Sequence, residues 1–265
     1  MRWINLQGAV NVRDLGGLPT ADGRRTAEGK LLRSDNLQGL SPADVKTLVD
    51  EHRLSTVIDL RSTSELSSAG PGPLSAVGSV HHAHHSVLPE FGDSTDAGAD
   101  ALLTRRERNL TRYPDDFMCS MYLGYLEDRP ESVVGALRSI GESDGAVVVH
   151  CAAGKDRTGV VIAMTLTVIG VRAEAVVADY AATAQRISAI LDRLRASSTY
   201  ADDIDRIPAE AHTPRAETMA AFLEQLRVRY GGAQEWLDAH GFGEPDVVRL
   251  RDRLLDTSDQ RTPHE

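Results

Sequence analysis

The chain has 265 residues, 41% of them apolar and 26% charged, which is sufficient for an ordinary buried core. Its formal net charge of −10 argues against binding to nucleic acid or broad attraction to an anionic membrane surface. Two cysteines, Cys119 and Cys151, are too few for a disulfide-stapled scaffold. We therefore expect a single domain over residues 1–258, in a reducing compartment, and a polar tail over residues 259–265.

Neither a targeting segment nor a membrane span is predicted. The first ten residues contain Arg2 as their one basic residue and no sustained apolar run, so no secretory signal peptide is recognised. The longest apolar stretch, residues 160–171, is about a dozen residues long, whereas a membrane span needs roughly 20. The expectation is a cytoplasmic protein, or one secreted without a recognisable signal peptide, and no integral membrane association.

Three short runs are predicted as strands. Residues 31–35, 56–60 and 145–150 are apolar or β-branched and are bounded by polar or turn-forming residues. The second and third have the character of interior strands. Together with the helices around them, they predict an α/β fold with a central, mainly parallel sheet flanked by helices.

Helical patterns lie between and after these strands. Ser41, an N-cap residue followed by Pro42, starts a short helix that ends near residue 52. Residues 88–113 are polar and predict a long surface loop, after which residues 118–126 resume a helical pattern. From residue 173 onward, apolar residues recur at spacings of three and four, which predicts a mostly helical C-terminal part.

One segment carries residues suited to chemistry, because it joins an apolar strand, a tight loop and an apolar helix. A cysteine and an arginine separated by five residues allow backbone N–H groups to surround a phosphate while the arginine binds it with two hydrogen bonds. The helix N-terminus, Lys155 and Arg157 all favour the thiolate form of Cys151, which is the expected nucleophile. The expected phosphate-binding residues are Ala152, Ala153, Gly154, Lys155, Asp156 and Arg157.

Other readings of this loop are weaker. A nucleotide-binding P-loop would require glycine in place of Val149 and serine or threonine in place of Asp156. A sulfurtransferase of the rhodanese type shares a cysteine in a curled anion loop, but not usually the Arg-Thr-Gly helix start. A phosphate-binding module without turnover stays open as an alternative, although Cys151, Asp156 and Arg157 argue for catalysis.

The sequence His-Cys-x5-Arg-Thr-Gly at residues 150–159 resembles the signature of the protein tyrosine phosphatase family. With Asn-Val-Arg-Asp-Leu-Gly-Gly at residues 11–17, the chain is similar to a bacterial branch of that family, and the similarity extends through residues 57–61 and 178–180. The resemblance implies a phosphatase-like fold, a phosphocysteine intermediate at Cys151 and no metal or other cofactor. It implies phosphotyrosine in proteins or peptides as substrate, with phosphoserine, phosphothreonine or phosphoinositides as alternatives.

The resemblance also implies roles for neighbouring residues. It places the proton donor at Asp156, while Asp115, in a Tyr-Pro-Asp-Asp sequence, and Asp59, at a strand end, stay alternatives. Thr158 is expected to donate a hydrogen bond to the cysteine sulfur. His150 is expected to order the loop through backbone hydrogen bonds.

Three further features of the sequence each allow two interpretations. The resemblance suggests that helices within residues 173–230 form a lid over the cleft, although such apolar faces are as often simple core. Lys155 either favours multiply phosphorylated substrates or is a solvated charge. The four histidines within residues 81–85 suggest a metal site, but strand alternation would divide them between two faces, so no metal is expected.

Overall fold

A computed structural model of the protein describes residues 2–89, 117–204 and 209–256. Nearly all of the predicted loop over residues 88–113 lies outside the described residues. Asp115 and the predicted tail over residues 259–265 also lie outside them. The site and both of its flanking elements fall within the described part.

A mixed sheet forms the centre of the described part. The strands are β1 (Arg2–Trp3), β2 (Arg13–Asp14), β3 (Leu31–Ser34), β4 (Leu54–Asp59), β5 (His81–His84) and β6 (Ala146–His150). They lie in the order β1-β2-β3-β6-β4-β5; β3, β6, β4 and β5 are parallel, while β1 and β2 pair antiparallel. The predicted mainly parallel sheet is confirmed, as are the three predicted strands.

Helices cover both faces of this sheet. The described helices are α1 (Pro42–Lys46), α2 (Thr63–Ala69), α3 (Phe117–Asp128), α4 (Pro130–Glu142), α5 (Asp156–Val168), α6 (Ala173–Ala182), α7 (Ile187–Arg195), α8 (Ala201–Ile204), α9 (Ala216–Tyr230), α10 (Ala233–Ala239) and α11 (Glu244–Leu254). Single turns of other helix types cover Thr47–Glu51, Pro73–Ala76, Thr183–Arg186 and Ala209–His212. None of the described helices is both long and apolar enough to cross a membrane.

Local sequence explains where several helices begin and end. Ser41 caps α1: its hydroxyl accepts from the backbone N–H of Asp44, whose carboxylate accepts from the backbone N–H of Ser41. The π-helical turn after α1 ends at Glu51, which confirms the predicted end near residue 52. At the end of α9, Gly231 adopts a φ of 88°, a left-handed conformation that glycine tolerates without steric cost.

Strand β6 lies between two hydrophobic clusters. Val147 and Val149 pack into the larger cluster with helices α3 to α6 and α9 to α11, whereas Val148 packs on the opposite face with residues of β3 and β4. This alternation is the period of two expected of a strand covered on both sides. The register places Ser34, Asp59 and His150 side by side at the strand ends. The parallel strands therefore deliver their following loops to one edge of the sheet.

Candidate active site

The loop after β6 has a backbone that only glycine permits at one position. Gly154 adopts a φ of 64°, and a Cβ atom on it would lie 2.2 Å from the carbonyl oxygen of Ser34. The loop is therefore packed directly against the end of β3. Cys151 opens it, is 2% exposed, and lines a cavity of about 560 Å³ together with Arg157.

Neighbouring residues bind the carbonyl groups of this loop. Asn36 donates to the carbonyl oxygen of Ala152 from its backbone at 2.9 Å and its side chain at 3.3 Å. Asn11 and Arg33 both donate to the carbonyl oxygen of Gly154, at 3.2 and 2.7 Å. The backbone N–H groups of residues 152–155 donate to none of the described residues. These N–H groups are therefore free to bind an anion.

A buried ion cluster supports the loop from below. Arg13 Nε lies 2.8 Å from Asp179 Oδ1, and Arg33 Nη1 lies 2.5 Å from Asp179 Oδ2. Burial alone would raise the pKa of Asp179, but the two guanidinium groups outweigh it and lower that pKa. Arg13 also donates to Asn11 at 2.6 Å. The cluster thus joins the motif at residues 11–17 to the loop, a role that the sequence did not reveal.

Arg157 is held by a glutamate from α2. Its Nη1 and Nη2 atoms lie 2.5 and 2.9 Å from the carboxylate oxygens of Glu65. Burial would lower the pKa of Arg157, but Glu65 and Cys151 raise it well above its usual value, so the guanidinium stays charged. Glu65 was not predicted as a site residue, because its one local signal in the sequence is the Ser62-x-x-Glu65 pattern of a helix cap.

Asp156 and Lys155 both line the cavity and form hydrogen bonds with different partners. Asp156 Oδ1 accepts a hydrogen bond from the hydroxyl of Tyr122 at 2.6 Å, and that hydroxyl lies 2.6 Å from the hydroxyl of Tyr180. Lys155 Nζ donates to the carbonyl oxygen of His212 at 2.7 Å and lies 3.6 Å from Asp156 Oδ2. Lys155 is 7% exposed and engaged, so the reading of it as a solvated charge is wrong.

The other predicted supporting residues lie behind the loop. His150 Nδ1 is 3.1 Å from the carbonyl oxygen of Cys151, and His150 Nε2 is 3.6 Å from Asp59 Oδ2. Burial lowers the pKa of His150, and since a carbonyl oxygen only accepts, the proton lies on Nδ1. Asp59 forms an ion pair of 2.6 Å with Arg61 and is not among the residues that line the cavity. Asp59 is therefore held in a structural ion pair, away from the cavity.

The structure does not agree with the role expected of Thr158. Its Oγ1 is buried and makes no hydrogen bond with any residue in the described part of the chain. The expected hydrogen bond to the sulfur of Cys151 is therefore not formed. Thr158 lies in the first turn of α5 and is itself fully buried, so surrounding side chains fix its position.

Part of the C-terminal helical region lines the cavity. Ile190, Leu191 and Leu194 of α7 line it and form a hydrophobic cluster with Ala152 of the loop and Tyr200. Helices α6 and α9, in contrast, contribute to the main core through residues that include Val176, Tyr180, Met219, Phe222 and Leu226. The part that lines the cavity is thus shorter than residues 173–230.

The histidine-rich segment lies at the far edge of the sheet, in and after β5. His84 Nε2 lies 2.7 Å from the carbonyl oxygen of Arg61, and His85 Nε2 lies 2.9 Å from Ser139 Oγ. Among the residues that the structure describes, no group of three or more His, Cys, Asp or Glu side chains is placed to hold a metal ion. Both of these imidazoles have structural partners.

Comparisons with known proteins agree with this geometry. The family described as "Tyrosine phosphatase family" matches residues 4–256 of the chain. A tyrosine-protein phosphatase of Cupriavidus necator is 29% identical over 92% of this chain and 85% of its own length. The triple specificity protein phosphatase PtpB of Mycobacterium tuberculosis is 29% identical over 94% of this chain and 98% of its own. A tyrosine-protein phosphatase of Nostoc commune is 30% identical over 56% of this chain and 52% of its own.

The similarity is not confined to the loop, since the family match includes the N-terminal motif, the whole parallel sheet and the last described helix. The predicted resemblance is thereby confirmed over most of the sequence. The chain belongs to the tyrosine phosphatase family and is a phosphatase enzyme.

Proposed function

We propose that this protein hydrolyses phosphotyrosine in proteins or peptides, with Cys151 as the nucleophile. The observation that carries the proposal is the loop itself: its carbonyl groups are bound from outside, its N–H groups of residues 152–155 are free, and Cys151 and Arg157 line the same cavity. Such a ring suits a phosphate dianion.

The reaction has two steps. The sulfur of Cys151 attacks phosphorus, the S–P bond forms, the bond to the tyrosine oxygen breaks, and Asp156 gives its proton to that oxygen. Water then attacks phosphorus, the S–P bond breaks, and Asp156 takes the proton from water. Phosphomonoester hydrolysis is so slow in water that most of the acceleration must come from positioning and charge stabilisation by the loop and Arg157.

Asp156 is the preferred proton donor among the three candidates. It lines the cavity beside Cys151, whereas Asp59 is paired with Arg61 away from the cavity. The hydroxyl of Tyr122 fixes one carboxylate oxygen of Asp156. Asp115, outside the described residues, stays an alternative that an Asp115→Asn variant tests.

The cavity wall favours an aromatic ester with a single phosphate. Tyr125, Ile187 and Leu191 supply apolar surface around the loop. Lys155 donates to the carbonyl oxygen of His212 and lies 3.6 Å from Asp156 Oδ2, so part of its charge is already balanced before a second phosphate could bind. The relative PtpB is called a triple specificity protein phosphatase, which supports a parallel test of phosphoserine and phosphothreonine peptides.

We also propose that residues 187–204 act as the lid. Their apolar side chains rest on Ala152, and Cys151 beneath them is 2% exposed. In this proposal, a protein substrate displaces α7 and α8 as its phosphotyrosine enters the cavity that Cys151 lines. The hydrogen bond from Lys155 to the carbonyl oxygen of His212 holds the turn Ala209–His212 against the loop.

The test compares the wild type with Cys151→Ser and Cys119→Ser, in chelator and without added metal. Phosphotyrosine, phosphoserine and phosphothreonine peptides and a phosphoinositide serve as parallel substrates. We expect phosphotyrosine turnover that Cys151→Ser abolishes and that Cys119→Ser, in the other buried cysteine, retains. Turnover that persists in Cys151→Ser would refute the mechanism. Phosphate binding without turnover of any substrate by the wild type would indicate a binding module.

A further inference from the structure

A carboxylate shares the arginine of the phosphate-binding loop. Glu65 lies on α2, 92 positions before Arg157, and both of its oxygens accept hydrogen bonds from the two Nη atoms. Both side chains are largely buried, with 12% of Arg157 and 16% of Glu65 exposed. A buried two-point contact of this kind fixes the plane of the guanidinium as well as its position.

The carboxylate of Glu65 is itself held in place by its own helix. Oε2 accepts a second hydrogen bond from the backbone N–H of Ser62 at 2.8 Å, and the Ser62 hydroxyl accepts from the backbone N–H of Glu65. Burial would raise the pKa of Glu65, but Arg157 and these hydrogen bonds lower it to about 2. Glu65 is therefore a rigid anion over the whole pH range of an assay.

The contact uses only one edge of the guanidinium. A guanidinium carries five N–H groups in one plane, and Glu65 takes one from Nη1 and one from Nη2. The Nε atom makes no hydrogen bond with any residue in the described ranges. The edge formed by Nε and the second hydrogen of Nη2 is thus free for two further hydrogen bonds in the cavity.

We propose that Glu65 is a positioning residue for Arg157: it binds the end of the guanidinium so that the side edge is presented to the phosphate. The inference rests on the proposed function of the loop. In this arrangement one guanidinium bridges two anions, the fixed carboxylate and the transferred phosphoryl group. Its orientation is set before substrate binds, which lowers the entropy lost in the transition state.

In an alternative interpretation, Glu65 competes with phosphate for Arg157, and its removal then has the opposite effect on phosphate binding and turnover. A carboxylate that occupies the arginine in place of phosphate would compete with substrate, and its removal would strengthen phosphate binding and speed turnover. A positioning carboxylate, when removed, leaves Arg157 free to rotate and weakens both. The direction of the change therefore distinguishes the two.

The experiment uses Glu65→Gln in the full chain. Glutamine is also a capping-box residue, so the cap of α2 is retained while the charge and one hydrogen bond to Arg157 are lost. Glu224→Gln is the matched control, because Glu224 contacts Arg227 through two hydrogen bonds on the exposed surface. The readouts are the Kd of inorganic phosphate, kcat and KM on a phosphotyrosine peptide, and Tm.

We expect Glu65→Gln to weaken phosphate binding and to lower kcat/KM, each by roughly tenfold to a hundredfold, and to lower Tm because Arg157 loses its balancing charge. Glu224→Gln should leave both within about twofold. In an Arg157→Ala background, Glu65→Gln should cause no further loss, because the residue acts through Arg157. Phosphate binding that is unchanged or tighter in Glu65→Gln, or an equal further loss in the Arg157→Ala background, would overturn the proposal.

A second variant and the phosphate Kd make the test of Glu65 independent of turnover. Glu65→Asp keeps the charge but shortens the side chain by one methylene, so it should weaken phosphate binding severalfold; wild-type affinity in Glu65→Asp would also overturn the inference. Phosphate affinity does not require turnover. A wild type that binds phosphate but hydrolyses no phosphopeptide would refute the proposed function. The phosphate Kd values of the Glu65 variants would still decide whether Glu65 positions Arg157.

Discussion

The hydroxyl of Tyr122 donates a 2.6 Å hydrogen bond to Oδ1 of Asp156, which joins the middle of α3 to the first residue of α5. A hydroxyl has one proton, so the 2.6 Å contact between Tyr122 and Tyr180 requires Tyr180 as its donor. The chain of donors runs from Tyr180 through Tyr122 to the carboxylate. Burial raises the pKa of Tyr122 well above 10, so Tyr122 stays a neutral donor.

Tyr122→Phe should lower kcat. The hydroxyl of Tyr122 holds one carboxylate oxygen of Asp156 in place at 2.6 Å, so its loss leaves the proposed acid less well positioned to protonate the leaving oxygen. We expect kcat on a phosphotyrosine peptide to fall by roughly tenfold to a hundredfold. Tyr230→Phe, which removes a hydroxyl bonded to Glu127, is the control. An unchanged kcat in Tyr122→Phe would speak against Asp156 as the acid.

Asp179→Asn should destabilise the fold. The substitution leaves Arg13 and Arg33, both fully buried, without a balancing charge, which costs about 3–5 kcal/mol of the free energy of unfolding. Urea titration measures this, with Asp192→Asn, in an exposed pair with Arg195, as a control that changes by less than about 1 kcal/mol.

The ion pairs of Asp179 with Arg13 and Arg33 also predict how the free energy of unfolding depends on pH. Because the folded-state pKa of Asp179 is lowered, its contribution is present above the unfolded value of about 4 and is lost as the pH falls through the folded-state pKa. The wild type should therefore lose more stability than Asp179→Asn between about pH 4 and pH 2. Parallel pH curves for the two proteins would contradict the assignment.

Gly154→Ala should inactivate the protein far more than it unfolds it. The new methyl group would lie 2.2 Å from the carbonyl oxygen of Ser34, so the loop must shift, and we expect kcat/KM to fall by about a hundredfold or more. Gly170→Ala is the control: Gly170 has a φ of 92° but open space around it, so it isolates backbone strain of about 1 kcal/mol. Equal activity of the two variants would contradict the packing argument.

Local patterns predicted much of the fold and missed two helices. The strand before Cys151, the loop and α5 were predicted because their signals lie within about 20 consecutive residues. Helix α4 has apolar residues at helical spacing behind Pro130, so its signal was present in the sequence. Helix α2 contributes no residue to the hydrophobic clusters, and its main signal is the cap formed by Ser62 and Glu65.

The sequence by itself determined the anion-binding loop, because a cysteine, small residues and an arginine at fixed spacing after a strand suit a phosphate group, and the family resemblance added the phosphatase activity. Only the tertiary structure decided what holds that loop. Arg33 and Asp179 are 146 positions apart, and Glu65 and Arg157 are 92 apart, so no local pattern relates them. Partners at such distances meet because the parallel strands β3, β6 and β4 bring their ends to one edge of the sheet, and that packing is a property of the whole chain.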